Sequence, residues 1–332
     1  MSPVRSFDSL LLQAQKTRIR RGHHRSTQVL QSIWCDLASN DYLGLSRDPR
    51  VLDAGHKALD EHGTSARASR VVSGTLPVHA DAEHSLADLT QMPPSGLLFS
   101  SGYMENLAVI AALGRTGTRI LLDAHVHASL HDAAKLCAAD VEIFEHQNLN
   151  HLRELLRHGD GKPTLIVVEG VYSVLGDATD LANLQMLARQ YEAWLVVDES
   201  HSLGILGKGC GACSQADISG VDNLIITSSL GKALGSAGGV VLCTETVRDY
   251  LINTSRPFIF DTAPSPVNAA AAAASARIVD TEGERFSQQV FESAQCISTA
   301  LGTSQSAGAV QSVGIDGAGN SSEATEENCG YL

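Results

Sequence analysis

The sequence predicts an α/β fold built around a mostly parallel sheet. From Gly96 onward, short apolar runs bounded by turn residues alternate with helix-length segments, a pattern typical of βαβ units in a covered sheet. The chain has 332 residues, of which 43% are hydrophobic, so it can bury a substantial core. Together these observations predict a large domain with a sheet of about seven strands and helices on both faces.

The elements follow in order along the chain. The first helix is predicted from Asp8 to about Arg21, where leucines form a ragged apolar stripe. The alanine-rich segment from Asn268 to Ala276 consists of good helix formers. The strands between them are predicted at Leu97–Phe99, Arg119–Leu122, Val141–Phe144, Thr164–Val168, Trp194–Val197, Leu224–Ile226 and Gly239–Leu242.

The composition changes after Arg285. Residues 286–332 contain no Lys, Arg or His, and Gly, Ser and Ala dominate from Gly302 onward. Such weakly hydrophobic, acidic segments favour mobile tails. The composition therefore predicts a mobile tail at this end of the chain.

Charge and cysteine content exclude several classes of function. The net charge of −13 leaves no electrostatic footprint for a nucleic acid, so the expected partner is a small molecule. Seven cysteines without a paired pattern suit a reducing cytoplasm, and no metal site is expected from them. No apolar stretch reaches the ~18 residues of a membrane span, so the protein is expected to act away from membranes.

The strongest chemical signal is an acid followed by a lysine at two successive strand ends. Asp198 ends the apolar run at Trp194–Val197, and His201 follows three residues later. Ligands bind at the carboxyl ends of strands in such sheets, although a lone aspartate there can also cap a turn. Lys232 lies 34 residues further along, between small residues after the next strand. Burial lowers a lysine pKa, and a neutral amine forms Schiff bases. The pair therefore predicts pyridoxal phosphate, which needs a lysine and a carboxylate for its ring nitrogen.

Three further strand ends carry groups that suit the same crevice. Gly102 begins a predicted helix directly after a strand, where free backbone N–H groups hold phosphate. His127 follows another strand and can stack on a planar ring, whereas His125 and His131 are assigned structural roles. Ser173 follows the strand at Thr164–Val168 and reaches the same rim. The sequence thus predicts one cofactor site at the carboxyl edge of the sheet.

Seven motifs follow one another along the chain in this order: LASNDYLGLSRDPRV, SRVVSGTLPVHADAEHSLA, LLFSSGYMENLAV, HASLHDA, VDESHSLG, SLGKALGSAGGVVL and RPFIFDTA. With these motifs the chain resembles the α-oxoamine synthases, pyridoxal-phosphate enzymes of aminotransferase fold type I, over roughly positions 8 to 285. The resemblance implies a large sheet domain plus a small domain built from both chain ends. In this chain it implies an N-terminal helix and small-domain segment at 1–40, a large pyridoxal-phosphate-binding domain at 41–284, and an incomplete C-terminal domain or mobile tail at 285–332.

The resemblance implies a role for each matching residue. Lys232 would hold the cofactor, Asp198 would pair with the pyridine nitrogen, and His201 would bond the phenolic oxygen. His127 would stack on the ring and line the substrate site. The remaining implied positions are Gly102 and Tyr103 at the cofactor, Ser229 at the phosphate, Ser173 at the pyridoxal ring, Asn40 near the substrate, one of Arg18, Arg20 or Arg21 (Arg21 preferred) at a substrate carboxylate, and Thr262 at the partner's phosphate in a homodimer.

The implied reaction is a decarboxylative condensation of L-alanine with a pimeloyl thioester, carried on CoA or acyl carrier protein, in biotin biosynthesis. Two alternatives remain open. One is a sister synthase, such as glycine C-acetyltransferase or a long-chain amino-ketone synthase. The other is a catalytically impaired remnant that binds pyridoxal phosphate without turnover.

The chain also departs from the family pattern. Residues Gly63–Arg70 carry fewer glycines than the usual loop, so the backbone conformations that glycine permits are in question there. Leu175 replaces a common aspartate, and Ser200 a common alanine. The family places an arginine for the amino-acid carboxylate in its C-terminal domain, and no arginine follows Arg285 here. This departure predicts a truncated or altered C-terminus and weak alanine binding.

Overall fold

The computed structural model describes residues 6–27, 29 and 36–313. The chain divides into two units, of which residues 40–315 form one and residues 1–39 belong to the other. In the N-terminal unit, helix α1 (Phe7–Arg20) covers the helix predicted from the sequence. Its N-cap is Ser6, whose side chain accepts a hydrogen bond from the Ser9 N–H, as capping serines do.

Seven strands form a single sheet in the unit 40–315, as the sequence predicted. β7 runs antiparallel to both of its neighbours, and every other neighbouring pair is parallel. The sheet order is β1-β7-β6-β5-β4-β2-β3. The strands are β1 (Gly96–Phe99), β2 (Arg119–Asp123), β3 (Asp140–Phe144), β4 (Thr164–Glu169), β5 (Trp194–Asp198), β6 (Leu224–Ser229) and β7 (Gly239–Leu242).

Helices lie in the connections between strands, except in the short turn from β6 to β7, so the predicted α/β class is confirmed. None of the described helices combines the length and the apolar character needed to cross a membrane. The helices after α1 are α2 (Pro49–His62), α3 (Pro77–Thr90), α4 (Gly102–Leu113), α5 (Ala128–Leu136), α6 (Leu149–Arg157), α7 (Leu181–Gln190), α8 (Ala212–Gln215), α9 (Glu245–Thr254), α10 (Arg256–Ile259) and α11 (Pro266–Leu301).

The sheet is buried on both faces because successive strand residues point to opposite sides. Val196 lies in the core cluster that contains Val109 of α4. Val197, the next residue, lies in the cluster that contains Leu86 of α3. This double burial explains why the strands read in the sequence as nearly continuous apolar runs.

The long helix α11 passes through the predicted domain boundary at position 285 and ends at Leu301. Gly302 follows it in the left-handed conformation that is common at helix ends. The described residues after it lie against the loop that follows β4. The Ala307 N–H donates to the Gly176 carbonyl oxygen at 2.8 Å, and the Ser312 hydroxyl donates to the Val174 carbonyl oxygen. The division of the chain at positions 41 and 285 stays a prediction, and residues 314–332 lie outside the described residues.

Candidate active site

Three parallel strands bring acidic and basic groups to one edge of the sheet. β4, β5 and β6 are neighbours, and their register pairs Glu169 with Asp198 and Asp198 with Thr227. The chain continues from the end of β6 at Ser229 into the loop that carries Lys232. Because parallel strands end at the same edge, these side chains meet there.

Lys232 contacts a neutral base at this edge. Its Nζ lies 2.8 Å from His201 Nε2. Burial lowers the pKa of Lys232, and the negative charges of Asp198 and Glu169 offset only part of that shift. The uncharged amine is therefore favoured more than in water, and an uncharged amine is the nucleophilic form.

His201 is held from its other side by a tyrosine. The Tyr42 hydroxyl lies 2.8 Å from His201 Nδ1 and donates to Asn40 Oδ1 at 3.0 Å. Burial and the charge of Lys232 lower the pKa of His201 to about 3, so its ring is neutral. If Nε2 accepts from Lys232, then Nδ1 carries the proton and donates to Tyr42. Each hydrogen bond in the series Lys232, His201, Tyr42 and Asn40 then has one donor and one acceptor, with each residue donating to the next.

Asp198 is buried and held by two donors. Asn106 Nδ2 donates to its Oδ2 at 2.8 Å, and the Ser200 N–H donates to its Oδ1 at 2.9 Å. Burial opposes ionisation, but the charge of Lys232 and these hydrogen bonds lower the Asp198 pKa overall. Asn106 is itself fixed, since it accepts from the Thr227 hydroxyl at 2.8 Å. An ionised, oriented carboxylate results, which suits a protonated ring nitrogen.

His127 caps α5 and joins the same network. Its Nδ1 lies 2.8 Å from the Ser129 hydroxyl, which accepts from Asn106 Nδ2 at 3.0 Å. A continuous set of hydrogen bonds therefore connects His127 to Asp198 through Ser129 and Asn106. This network fixes the orientation of the imidazole relative to the acid.

The start of α4 forms a cradle beside Ser229. A Cβ on Gly102 would lie 2.9 Å from Ser229 Cβ, so only glycine fits there without a shift. The first N–H groups of a helix have no partner inside the helix, and the dipole favours anions at this end. Ser229 is held by its N–H, which donates to Ser200 Oγ at 2.9 Å. The helix start and the Ser229 hydroxyl therefore suit a phosphate.

The residues present fit pyridoxal phosphate. A nucleophilic amine at Lys232, a carboxylate at Asp198 and an anion cradle at Gly102 are the three groups that this cofactor requires. The Ser173 hydroxyl is buried and has no hydrogen-bond partner among the described residues, as expected for a group that faces a ligand. The donor set therefore supports the cofactor that the sequence indicated.

Other residues assigned from the sequence lie apart from this network. The Tyr103 hydroxyl donates to Asp132 Oδ2 at 2.6 Å, and Tyr103 is 42% exposed. Thr262 is exposed, and its N–H donates to the neighbouring Asp261 side chain. Arg21 follows α1 in the N-terminal unit. The roles given to Tyr103, Thr262 and Arg21 stay predictions.

The structure also includes residues that the sequence reasoning did not assign. Asn106, Tyr42 and Glu169 all contact assigned site residues. Glu169 had a usable signal, because it ends an apolar strand as Asp198 does. Within the described part of the chain, no group of three or more His, Cys, Asp or Glu side chains is arranged to hold a metal ion.

Comparison with known proteins identifies the family. A family model described as aminotransferase class I and II matches residues 32–312. The chain belongs to the aminotransferase class I and II family. The aminotransferase fold type expected from the sequence motifs is therefore confirmed.

Two proteins similar to this chain are 8-amino-7-oxononanoate synthases. The 8-amino-7-oxononanoate synthase of Mycolicibacterium smegmatis is 41% identical over 298 residues, covering 89% of this chain and 78% of that protein. The enzyme of the same name from Mycolicibacterium paratuberculosis is 40% identical over 275 residues, covering 82% and 71%.

Solved structures give the same family and fold. A serine palmitoyltransferase from Sphingomonas wittichii superposes with a TM-score of 0.80 at 27% identity, covering 89% of this chain and 77% of that chain. The 8-amino-7-oxononanoate synthase from Francisella tularensis gives a TM-score of 0.68 at 32% identity, covering 81% and 77%. A variant of SPT with PLP gives a TM-score of 0.79 at 28% identity, covering 92% of this chain and 80% of that chain.

Proposed function

We propose that this chain is a pyridoxal-phosphate-dependent acyltransferase that acts as an 8-amino-7-oxononanoate synthase in biotin biosynthesis. It would condense L-alanine with a pimeloyl thioester, on CoA or acyl carrier protein, and release carbon dioxide and the free thiol of the carrier. The observation that carries the proposal is the Lys232–His201 contact beside the buried Asp198, in a chain about 40% identical to enzymes of that name.

The chain supplies one group for each part of the cofactor. Lys232 would hold its reactive carbon, Asp198 its ring nitrogen, and His201 its phenolic oxygen. The phosphate would lie at Gly102 and Ser229 at the start of α4. When bound, pyridoxal phosphate supplies an electron sink for the negative charge that develops at the alanine Cα.

Proton movement is assigned to the residues around Lys232. With pyridoxal phosphate bound, the free Lys232 amine would be the base, because burial lowers its pKa, and its Nζ would take the proton from the alanine Cα. The ionised Asp198 holds a proton on the ring nitrogen, and Asn106 keeps that carboxylate oriented by its 2.8 Å hydrogen bond. Burial lowers the pKa of His201 to about 3, so its imidazole is too weak a base to take the proton from Nζ.

The family resemblance supports three finer assignments. Asn40, which accepts from Tyr42 beside His201, would lie near the substrate. Arg21 would meet the pimeloyl carboxylate. The protein would be a cytoplasmic homodimer in which Thr262 of one subunit approaches the phosphate of the other.

Thiol release tests the proposed reaction. We expect turnover with alanine and pimeloyl-CoA or pimeloyl-acyl carrier protein, and none in Lys232→Ala. Lys208→Ala is the matched control, because Lys208 is exposed and pairs with Glu284 at 3.1 Å. Turnover in Lys232→Ala equal to that of the parent would contradict the assignment.

A second candidate is a long-chain amino-ketone synthase. The serine palmitoyltransferase from Sphingomonas wittichii superposes with a higher TM-score, 0.80, than the Francisella tularensis synthase, 0.68. The same assay therefore includes serine and glycine with palmitoyl-CoA and acetyl-CoA. A preference for serine with palmitoyl-CoA would select the second candidate, and cofactor binding without any turnover would select the impaired remnant.

A further inference from the structure

Glu169 ends β4 as a buried carboxylate that joins two loops at the carboxyl edge of the sheet. Only 2% of its surface is exposed. The His127 N–H donates to Oε1 at 2.5 Å, and the Ser173 N–H donates to Oε2 at 3.0 Å. His127 belongs to the loop after β2 and Ser173 to the loop after β4, so one carboxylate determines how far apart these loops lie.

Glu169 also lies within the electrostatic field of the site. It is paired in register with Asp198. Burial and the charge of Asp198 raise its pKa, whereas Lys232 and the two backbone N–H groups oppose that shift. Burying a carboxylate beside another acid costs free energy unless its oxygens accept hydrogen bonds, and the two backbone N–H groups supply them.

We propose that Glu169 is a positioning residue that fixes the separation of the His127 and Ser173 loops and thereby the orientation of the cofactor ring between them. The proposal rests on the proposed function, because it needs pyridoxal phosphate at this edge. The two loops present the His127 imidazole and the unpartnered Ser173 hydroxyl to the site. Without the carboxylate, each loop would keep its own fold but lose its distance to the other.

Glu199 provides a matched control within the same chain. It is fully buried and likewise accepts two backbone N–H groups, from Ala212 and Cys213, each at 2.7 Å. Those hydrogen bonds fix the start of α8 and do not involve the His127 or Ser173 loop. Glu199 also accepts from the Ser202 hydroxyl. Glu199→Gln therefore has the general cost of altering a buried carboxylate that accepts backbone hydrogen bonds.

The test compares Glu169→Gln with Glu199→Gln. The amide of glutamine has one acceptor oxygen, so E169Q cannot accept both N–H groups. We expect E169Q to bind pyridoxal phosphate about tenfold more weakly in a fluorescence titration, which corresponds to about 1.4 kcal/mol. We also expect the visible circular dichroism of its bound cofactor to change. E199Q should lower the thermal midpoint of the cofactor-free protein and leave both cofactor measurements unchanged.

Glu169→Asp separates geometry from charge and serves if E169Q does not fold. It keeps the carboxylate but shortens its reach by one methylene, so weaker binding with an altered dichroism is again expected. Unchanged affinity and dichroism in whichever of these variants folds would overturn the inference while leaving the proposed function intact. A parent protein that binds no pyridoxal phosphate would overturn the proposed function and the inference together.

Discussion

Replacing Asn106 by alanine tests the hydrogen-bond network around Asp198. Asn106 is 2% exposed and makes three side-chain hydrogen bonds, to Asp198 at 2.8 Å, to Ser129 at 3.0 Å and from Thr227 at 2.8 Å. The alanine variant removes all three and leaves the Thr227 hydroxyl without its acceptor. Asp198 would keep its hydrogen bonds with Ser200.

The magnitude follows from the kind of each bond. A hydrogen bond to a charged carboxylate contributes about 1.5–3 kcal/mol, and a neutral one about 1 kcal/mol. The free energy of unfolding of the cofactor-free protein should therefore fall by about 4 kcal/mol in Asn106→Ala. Loss of a donor also raises the Asp198 pKa, which weakens its grip on a protonated ring nitrogen.

Urea unfolding followed by circular dichroism measures this loss. Asn253→Ala is the control, because Asn253 is exposed and bonds only within its own helix, to Asp249. That variant should change the free energy of unfolding by less than about 0.5 kcal/mol. If Asn106→Ala were no less stable than the control, the three hydrogen bonds of Asn106 would not contribute to the free energy of unfolding, which would contradict this prediction.

Three further variants probe the acid at the ring nitrogen, the phosphate site and the ion pairs of His146. Asp198→Asn should retain pyridoxal phosphate but lose about a hundredfold or more in turnover, because an amide cannot hold the ring nitrogen protonated; turnover within tenfold of the parent would contradict this role. Gly102→Ala places a Cβ 2.9 Å from Ser229 Cβ, so it should weaken binding of pyridoxal phosphate but not of pyridoxal; equal losses for both ligands would remove Gly102 from the phosphate site. His146 lies 2.8 Å from both Asp123 and Asp177, which overcome the effect of burial and raise its pKa from 6.5 to about 9. Because the pKa is raised in the folded state, the protonated His146 contributes its full stabilisation below about pH 6.5, and this contribution is lost as the pH rises through about 9. The difference in stability between the parent and His146→Gln should therefore shrink over that range. A difference that does not change with pH would refute the ion pairs.

The fold was accessible from the sequence because burial on both faces leaves a direct pattern. Runs such as Leu165–Val168 are apolar throughout, and all seven predicted strands agree with the structure to within three residues at either end. The ligand-binding edge of the sheet could be predicted from the same pattern, because Asp198 directly follows one such run and Lys232 lies in the loop after the next.

The hydrogen-bond network of the site was not accessible in the same way. Asn106 and Asp198 are 92 positions apart, and Tyr42 and His201 are 159 positions apart. Nothing local to Asn106 or Tyr42 indicates those partners, because the contacts exist only once the strands are ordered in the sheet. Glu169 differs, since a charge that directly follows a buried strand was the signal already used for Asp198.

The central claim is that Lys232 holds pyridoxal phosphate, and reduction with borohydride tests it most directly. Reduction fixes the cofactor to the lysine that holds it, and peptide mass spectrometry then locates the label. We expect a pyridoxyl group on Lys232 and an unlabelled Lys208 in the same digest, with no label in Lys232→Ala. A label on any other lysine of the parent protein, or undiminished labelling of Lys232→Ala, would contradict it.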